Sequence, residues 1–136
     1  MNPRVVYCAI SGFGQDGPDA LKSGHDLNYM GIAGALQLFG TPGTGPIVPG
    51  LSIADVGGGS LMAAFGILTA LAARDRTGQG QFVDISMTDG LVSWLCYHAA
   101  DYLFAGVEPR GGVQRFLGGA PCYNVYRCAD NLHLTL

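Results

Sequence analysis

Between Asp55 and Arg74 the chain runs 18 residues, Val56 to Ala73, without a charged side chain, and the run opens almost at once on Gly57-Gly58-Gly59. So long an uncharged stretch needs apolar surroundings along much of its length, and it dictates the fold around it. Asp55 reads as the N-cap of a helix, Arg74 and Arg76 lie where cations favour a helix C-terminus, and Gly78 ends it. The length also reaches the threshold for a membrane span. However, the glycines and many alanines shorten the strongly apolar part, and no aromatic belt flanks it. The expectation is a buried core helix and no membrane span.

Composition sharpens this. Charged residues are 12% of the chain, against about 25% in an average domain. Hydrophobic residues are 49% of 136, enough for a domain with a sizeable core and too many for a fully polar coat. Much of the surface is therefore expected to meet other protein. The net charge of −3 and the scatter of only seven Lys and Arg argue against a nucleic-acid partner. Cys8, Cys96, Cys122 and Cys128 form no CxxC pair, which argues against a metal site. They read as small core residues of a reduced, cytoplasmic protein. Met-Asn-Pro-Arg lacks the features of a signal peptide, strand-like sequence starts at Val5, and alternation continues to Leu136. Both ends are expected to be cut from a longer protein.

Arg4–Ser11 is a β-branched, apolar run, the pattern of a buried strand. Gly12, Gly14 and Gly17 then spell GxGxxG, but Pro18 follows at once and no long amphipathic helix opens there. A tight glycine turn is expected and a dinucleotide site is not. Helical spacing predicts a helix over Asp26–Phe39, Gly, Pro and Thr predict a loop over Gly40–Pro49, alternation predicts a strand over Gln81–Ser86, and Met87–Phe104 reads as one apolar helix with Trp94 in the core. Gly106–Pro121 reads as a linker. Cys122–Arg127 and Leu132–Leu136 read as two strands of a hairpin turning at Cys128–Asn131. His98 and His133 carry no motif and read as structural or surface residues. The order β, α, α, β, α, linker, ββ describes the edge of an α/β domain passing into a second one.

Two polar constellations interrupt this apolar chain. Gly24-His25-Asp26-Leu27-Asn28-Tyr29 precedes one predicted helix, and Asp55 precedes the glycine trio of the other. Moving a carbon-bound proton requires one group as base and another as acid on opposite sides of the carbon. Histidine suits the task because imidazole ordinarily titrates near neutrality, and a carboxylate can join it when its surroundings retune it. Peptide N–H groups at a helix start can hold a developing enolate oxygen. Glycines there admit a substrate or second chain to the backbone, or simply permit close helix packing. On the residues alone, a solvated or capping histidine and an N-capping aspartate are the commoner readings of His25 and Asp55.

These segments, in this order and spacing, resemble the α-methylacyl-CoA racemases of the family III CoA-transferase (CaiB/BaiF) superfamily. Gly78-Gln-Gly80-Gln-Phe-Val-Asp84-Ile-Ser-Met87-Thr-Asp89-Gly90 is similar to that superfamily's Gly-x-Gly-x-x-Val-Asp-x-x-Met-x-Asp/Glu run. Gly118-Gly119-Ala120-Pro121-Cys122-Tyr123 with Tyr126-Arg127 is similar to the racemases' entry into their smaller domain. The resemblance implies an α/β fold: the edge of a Rossmann-like large CoA-binding domain over 1–106, a linker over 107–121, and the first strands of a smaller α+β domain over 122–136, incomplete at both ends. It implies epimerisation of 2-methylacyl-CoA thioesters, with His25 and Asp55 as the acid/base pair and the Asp26 peptide N–H as enolate donor. Gly24, His25, Asp26, Leu27, Asn28 and Tyr29 would line the CoA thioester. No cofactor is implied beyond CoA as the substrate's carrier, and the partner implied is a second, interlocked copy. Two other readings stand beside this one. In a family III CoA-transferase, Asp55 would be the nucleophile forming an acyl-aspartyl anhydride. Otherwise, the chain is an inactive fragment or a dimerising interaction protein.

Overall fold

The structure is a computed structural model that describes residues 2–136. The first strand, β1, is Tyr7–Ser11, within the run expected to be a buried strand, but none of its residues is buried and Tyr7 and Ile10 are 62% and 50% exposed. Gly14 and Gly17 both take positive φ in the turn that follows, the tight glycine turn expected there. Helix α1 covers only Asp26–Ile32. The predicted helix to Phe39 is broken because Gly34 is left-handed (φ 82°), and a separate 3₁₀ turn, Ala35–Leu38, follows it. Two short strands, β2 (Gly40–Thr41) and β3 (Gly45–Pro46), pair antiparallel inside the expected loop.

The uncharged run is helical, as its composition requires, but it starts unusually. Ala54–Leu61 is a π-helical stretch that continues directly into α2, Met62–Thr77. Gly78 closes α2 in the left-handed conformation (φ 74°), its N–H donating to the Arg74 carbonyl, the ordinary glycine C-cap. Strand β4 is Phe82–Ser86. The single helix expected over Met87–Phe104 is two, α3 (Met87–Trp94) and α4 (Cys96–Ala105). The break is at Leu95, whose φ −84° and ψ 14° leave the helical region. A 3₁₀ turn, Arg115–Leu117, precedes β5 (Val125–Arg127) and β6 (His133–Thr135).

The chain forms two compact units. The first joins the residues up to Ala33 with Gly50–Trp94. In it β1 and β4 pair in parallel, in register from Tyr7 opposite Phe82 to Ser11 opposite Ser86. Parallel strands need a crossover, and α1 with the long π/α2 helix supplies it. Gly66 lets α2 lie close on the sheet: a Cβ there would stand 2.8 Å from the Val83 side chain. The core of this unit is Tyr29, Met30, Ala54, Ala63, Ala70 and Leu91, with Thr88 tied to the Gly12 carbonyl by its hydroxyl at 2.8 Å. By length and composition Ala54–Thr77 would suit a bilayer. It is also less buried than expected, since Phe65 and Leu68 remain 76% and 66% exposed while Ala63 and Ala70 face inward.

The second unit joins Gly34–Pro49 with Leu95–Leu136. Here β5 and β6 form the expected antiparallel hairpin, turning through Asn131, the one described non-glycine residue with positive φ (65°). The Arg127 guanidinium donates to the Asn131 side chain and holds the turn. Gly111 is buried, its N–H donating to the Gln37 carbonyl. The cysteines do not fill the core as expected. Cys96 and Cys122 are exposed, Cys8 and Cys128 are half-buried, and all four are free thiols. The reason is positional: Cys96 opens α4, a helix with no buried residue, and Cys122 lies in a loop. Trp94, expected in the core, is 50% exposed.

Candidate active site

His25 is the N-cap of α1, with extended backbone (φ −128°, ψ 172°). Its peptide N–H donates to Asn28 Oδ1 at 2.8 Å, and its carbonyl accepts from the Asn28 and Tyr29 N–H groups at 2.8 and 3.3 Å. The Tyr29 hydroxyl reaches back to the Gly24 carbonyl at 2.6 Å, while its ring meets Phe13 edge-on at 5.3 Å. Gly24 is required there, since a Cβ would stand 2.8 Å from the Tyr29 ring. Asn28 thus fastens the turn at the surface and Tyr29 from inside, Tyr29 being buried and His25 exposed. Leu27 is 38% exposed on the first turn.

Asp55 is not the N-cap that its position at the head of the long uncharged run suggested. Ile53 is already helical (φ −81°, ψ −43°), and the Val56 N–H donates to the Ser52 carbonyl at 3.3 Å. The helix therefore begins ahead of Asp55, which lies half-buried in its first turn. Its own N–H is met from elsewhere: Asp26 Oδ1 accepts it at 2.9 Å, in a partly buried contact between residues 29 apart in sequence. The structure thus brings the turn carrying His25 against the turn carrying Asp55, within one compact unit.

The glycine trio faces the other way. A Cβ on Gly57 would stand 2.7 Å from the Trp94 ring, and one on Gly59 would stand 2.8 Å from Met87 Cγ. One on Gly58 would run into the Met87 carbonyl, and one on Gly90 into the Gly58 carbonyl. All three glycines are buried against α3. Close helix packing is their use here, rather than admission of a ligand to the backbone.

The side-chain work of Asp26 and Asp84 was not read from sequence. Asp84 Oδ2 accepts the Gln15 N–H at 2.8 Å, tying the glycine turn to the middle of β4. Asp84 stands in a recognisable motif, but nothing in its spacing names Gln15. A cleft of about 330 Å³ beside it is lined by Phe13, Gly14, Asp16, Ser86 and Asp89 among others, and not by His25 or Asp55. Among the described residues no group of three His, Cys, Asp or Glu is placed to hold a metal ion.

Comparison with known proteins agrees with this architecture. The family model for CoA-transferase family III matches residues 1–136. The CaiB/BaiF family protein from Brucella suis superposes with a TM-score of 0.83 at 32% identity, covering 96% of this chain and 34% of that one. The chain belongs to CoA-transferase family III, and its mixed helix-and-strand structure corresponds to part of that fold. Alpha-methylacyl-CoA racemase of Homo sapiens is 44% identical over 129 residues, 95% of this chain and 34% of the relative. Acetyl-CoA:oxalate CoA-transferase of Acetobacter aceti is 36% identical over 131 residues, 96% of this chain and 33% of the relative. The chain thus spans about a third of the length of these relatives.

Proposed function

We propose that the protein epimerises 2-methylacyl-CoA thioesters, with His25 and Asp55 as the acid/base pair. The carrying observation is the 2.9 Å contact from the Asp55 N–H to the Asp26 carboxylate, which sets the histidine's turn beside the aspartate's. In one direction the His25 imidazole takes the α-proton from one face of the carbon, and the pair of electrons moves into the thioester as an enolate. A proton held by the Asp55 carboxyl then goes to the opposite face. In the reverse direction the roles exchange, so no net proton is gained or lost. The enolate oxygen would be held by the Asp26 peptide N–H, which lies at the first position of α1, where a helix offers its N–H no carbonyl partner of its own. Gly24 to Tyr29 would line the thioester, CoA serves only as carrier, and the reaction needs no other cofactor. A second, interlocked copy of the chain and a cytoplasmic location complete the reading.

The higher identity to the racemase, 44% against 36% for the transferase, favours this reading. A second reading is supported by that same transferase likeness over 96% of the chain: Asp55 attacks the thioester carbonyl, CoA thiolate leaves, and an acyl-aspartyl anhydride awaits a carboxylate acceptor. The test is proton NMR in D₂O with one epimer of a 2-methylacyl-CoA. The expected result is deuterium at the α-carbon together with the other epimer, both abolished by His25→Ala and by Asp55→Asn. CoA transfer to oxalate without α-exchange would instead select the second reading.

A further inference from the structure

We infer that Asp26 is a positioning residue whose carboxylate holds Asp55 in place for reaction. The inference rests on the reading above insofar as it assigns Asp55 a chemical role, and it applies whether that role is proton transfer or attack on the thioester.

An aspartate at the first position of a helix is usually explained by the helix dipole. Here the side chain does something a dipole does not require. The neighbouring polar groups of its turn bond locally: Asn28 to the His25 N–H and Tyr29 to the Gly24 carbonyl. The Asp26 carboxylate instead crosses to a segment 29 residues away and accepts the Asp55 N–H at 2.9 Å. That N–H lies in a helix's first turn, where the helix supplies no acceptor of its own. The contact is partly buried, which limits competition from water. A peptide nitrogen held in this way fixes the adjoining Cα, from which the Asp55 carboxyl projects. Because Asp26 directly follows His25, the same bond fixes the distance between the two turns. A misplacement of about 1 Å in a reacting group can cost ~100-fold in rate, so the rate should be sensitive to this bond.

The experiment compares Asp26→Ala, Asp26→Asn and wild type by two readouts. The first is kcat and KM for α-proton exchange, or for acyl transfer if that is the activity found. The second is amide hydrogen exchange at Asp55, which needs no turnover. Asp26→Ala is expected to lower kcat about 100-fold with KM little changed. It should also leave the Asp55 amide unprotected. Asp26→Asn keeps an acceptor oxygen and should restore most of both. A merely structural role would reduce the folded fraction, measured by circular dichroism, and leave kcat per folded molecule unchanged. Folded wild type with an unprotected Asp55 amide overturns the proposal, and so does Asp26→Asn as impaired as Asp26→Ala. Asp26→Ala turning over at the wild-type kcat overturns it too, leaving the racemase reading intact. Wild type that protects the Asp55 amide through Asp26 yet exchanges no α-proton sinks the racemase reading. The Asp26–Asp55 bond then stands, and acyl-transfer kcat in the variants decides its role.

Discussion

The crossing of the π-helical stretch with α3 depends on two glycines facing each other, and Gly90→Ala tests it. A Cβ on Gly90 would run into the Gly58 carbonyl oxygen and stand 2.7 Å from its carbon and 2.8 Å from Gly58 Cα. All three are backbone atoms, so no side chain can rotate to make room, and the helices must separate. Overpacking of this kind costs about 1–3 kcal/mol, and relief here is limited by rigid backbone on both sides. Alanine returns up to about 1 kcal/mol through helix propensity, leaving a net loss of ~2 kcal/mol. With an unfolding entropy of about 2.1 cal/mol/K per residue over 136 residues, that loss lowers the melting midpoint by roughly 7 °C. Scanning calorimetry of the variant series would measure it. Gly58→Ala should match Gly90→Ala, because its Cβ meets the Met87 carbonyl and the Leu91 nitrogen. Gly59→Ala should cost less, since its close contact is with the flexible Met87 side chain, at 2.8 Å, and Ile10 Cγ2 stands at an ordinary 3.6 Å. Gly31→Ala, with nothing within 4 Å, should be neutral or slightly stabilising. A Gly90→Ala protein as stable as Gly31→Ala would refute the reasoning.

Tyr29→Phe removes the hydroxyl that donates to the Gly24 carbonyl at 2.6 Å and should cost about 1 kcal/mol in urea unfolding, with the m-value unchanged. Because that bond fastens the turn holding His25, a variant with wild-type stability would show that the ring packing alone secures it. Thr88→Val removes a 2.8 Å bond to the Gly12 carbonyl, but the Thr88 N–H still donates to the same oxygen at 3.1 Å. Its cost should therefore lie near the low end of the usual range, about 0.5 kcal/mol by the same titration.

What could be read in the sequence was what local chemistry decides. The strand at Tyr7–Ser11 follows from a short apolar run and that at Phe82–Ser86 from alternation, and the Cys128–Asn131 turn follows from its residue types. Gly78 ends α2 where the charge pattern and a glycine said it should. Less readable were features set by contacts between distant residues. Asp55 looked like a cap because it is an aspartate at the head of the long uncharged run, yet the helix starts earlier, where Ile53 is already helical. The apolar spacing across Leu95 continues without a gap, so nothing local announced the break between α3 and α4. The π-helical start of the long helix has no propensity signature of its own; it coincides with the glycine-to-backbone crossing at Gly58 and Gly90. Of the candidate site, the positions of His25 and Asp55 could be proposed from motif, but the bond that joins their turns could not.

That bond and the glycine crossing act on the same short stretch of helix. Ala54–Leu61 presents Gly57, Gly58 and Gly59 to α3 and holds Asp55 half-buried in its first turn. On the glycine side the helix is pressed against backbone, with no soft side chains at Gly58 to absorb a shift. On the other side, one carboxylate of α1 takes the peptide N–H of Asp55. A helix start gripped at two points cannot fray as helix ends ordinarily do, and fraying there would carry the Asp55 carboxyl away from the His25 turn. An exposed histidine in a fastened turn and a half-buried carboxylate on a gripped helix start thus lie on two segments joined by one hydrogen bond. The buried core of this unit is small, half of it alanine, and among the described residues Met30 is the large side chain that is fully buried, yet the two turns are still set against each other. Its precision comes from backbone contacts and hydrogen bonds rather than from the bulk of its core.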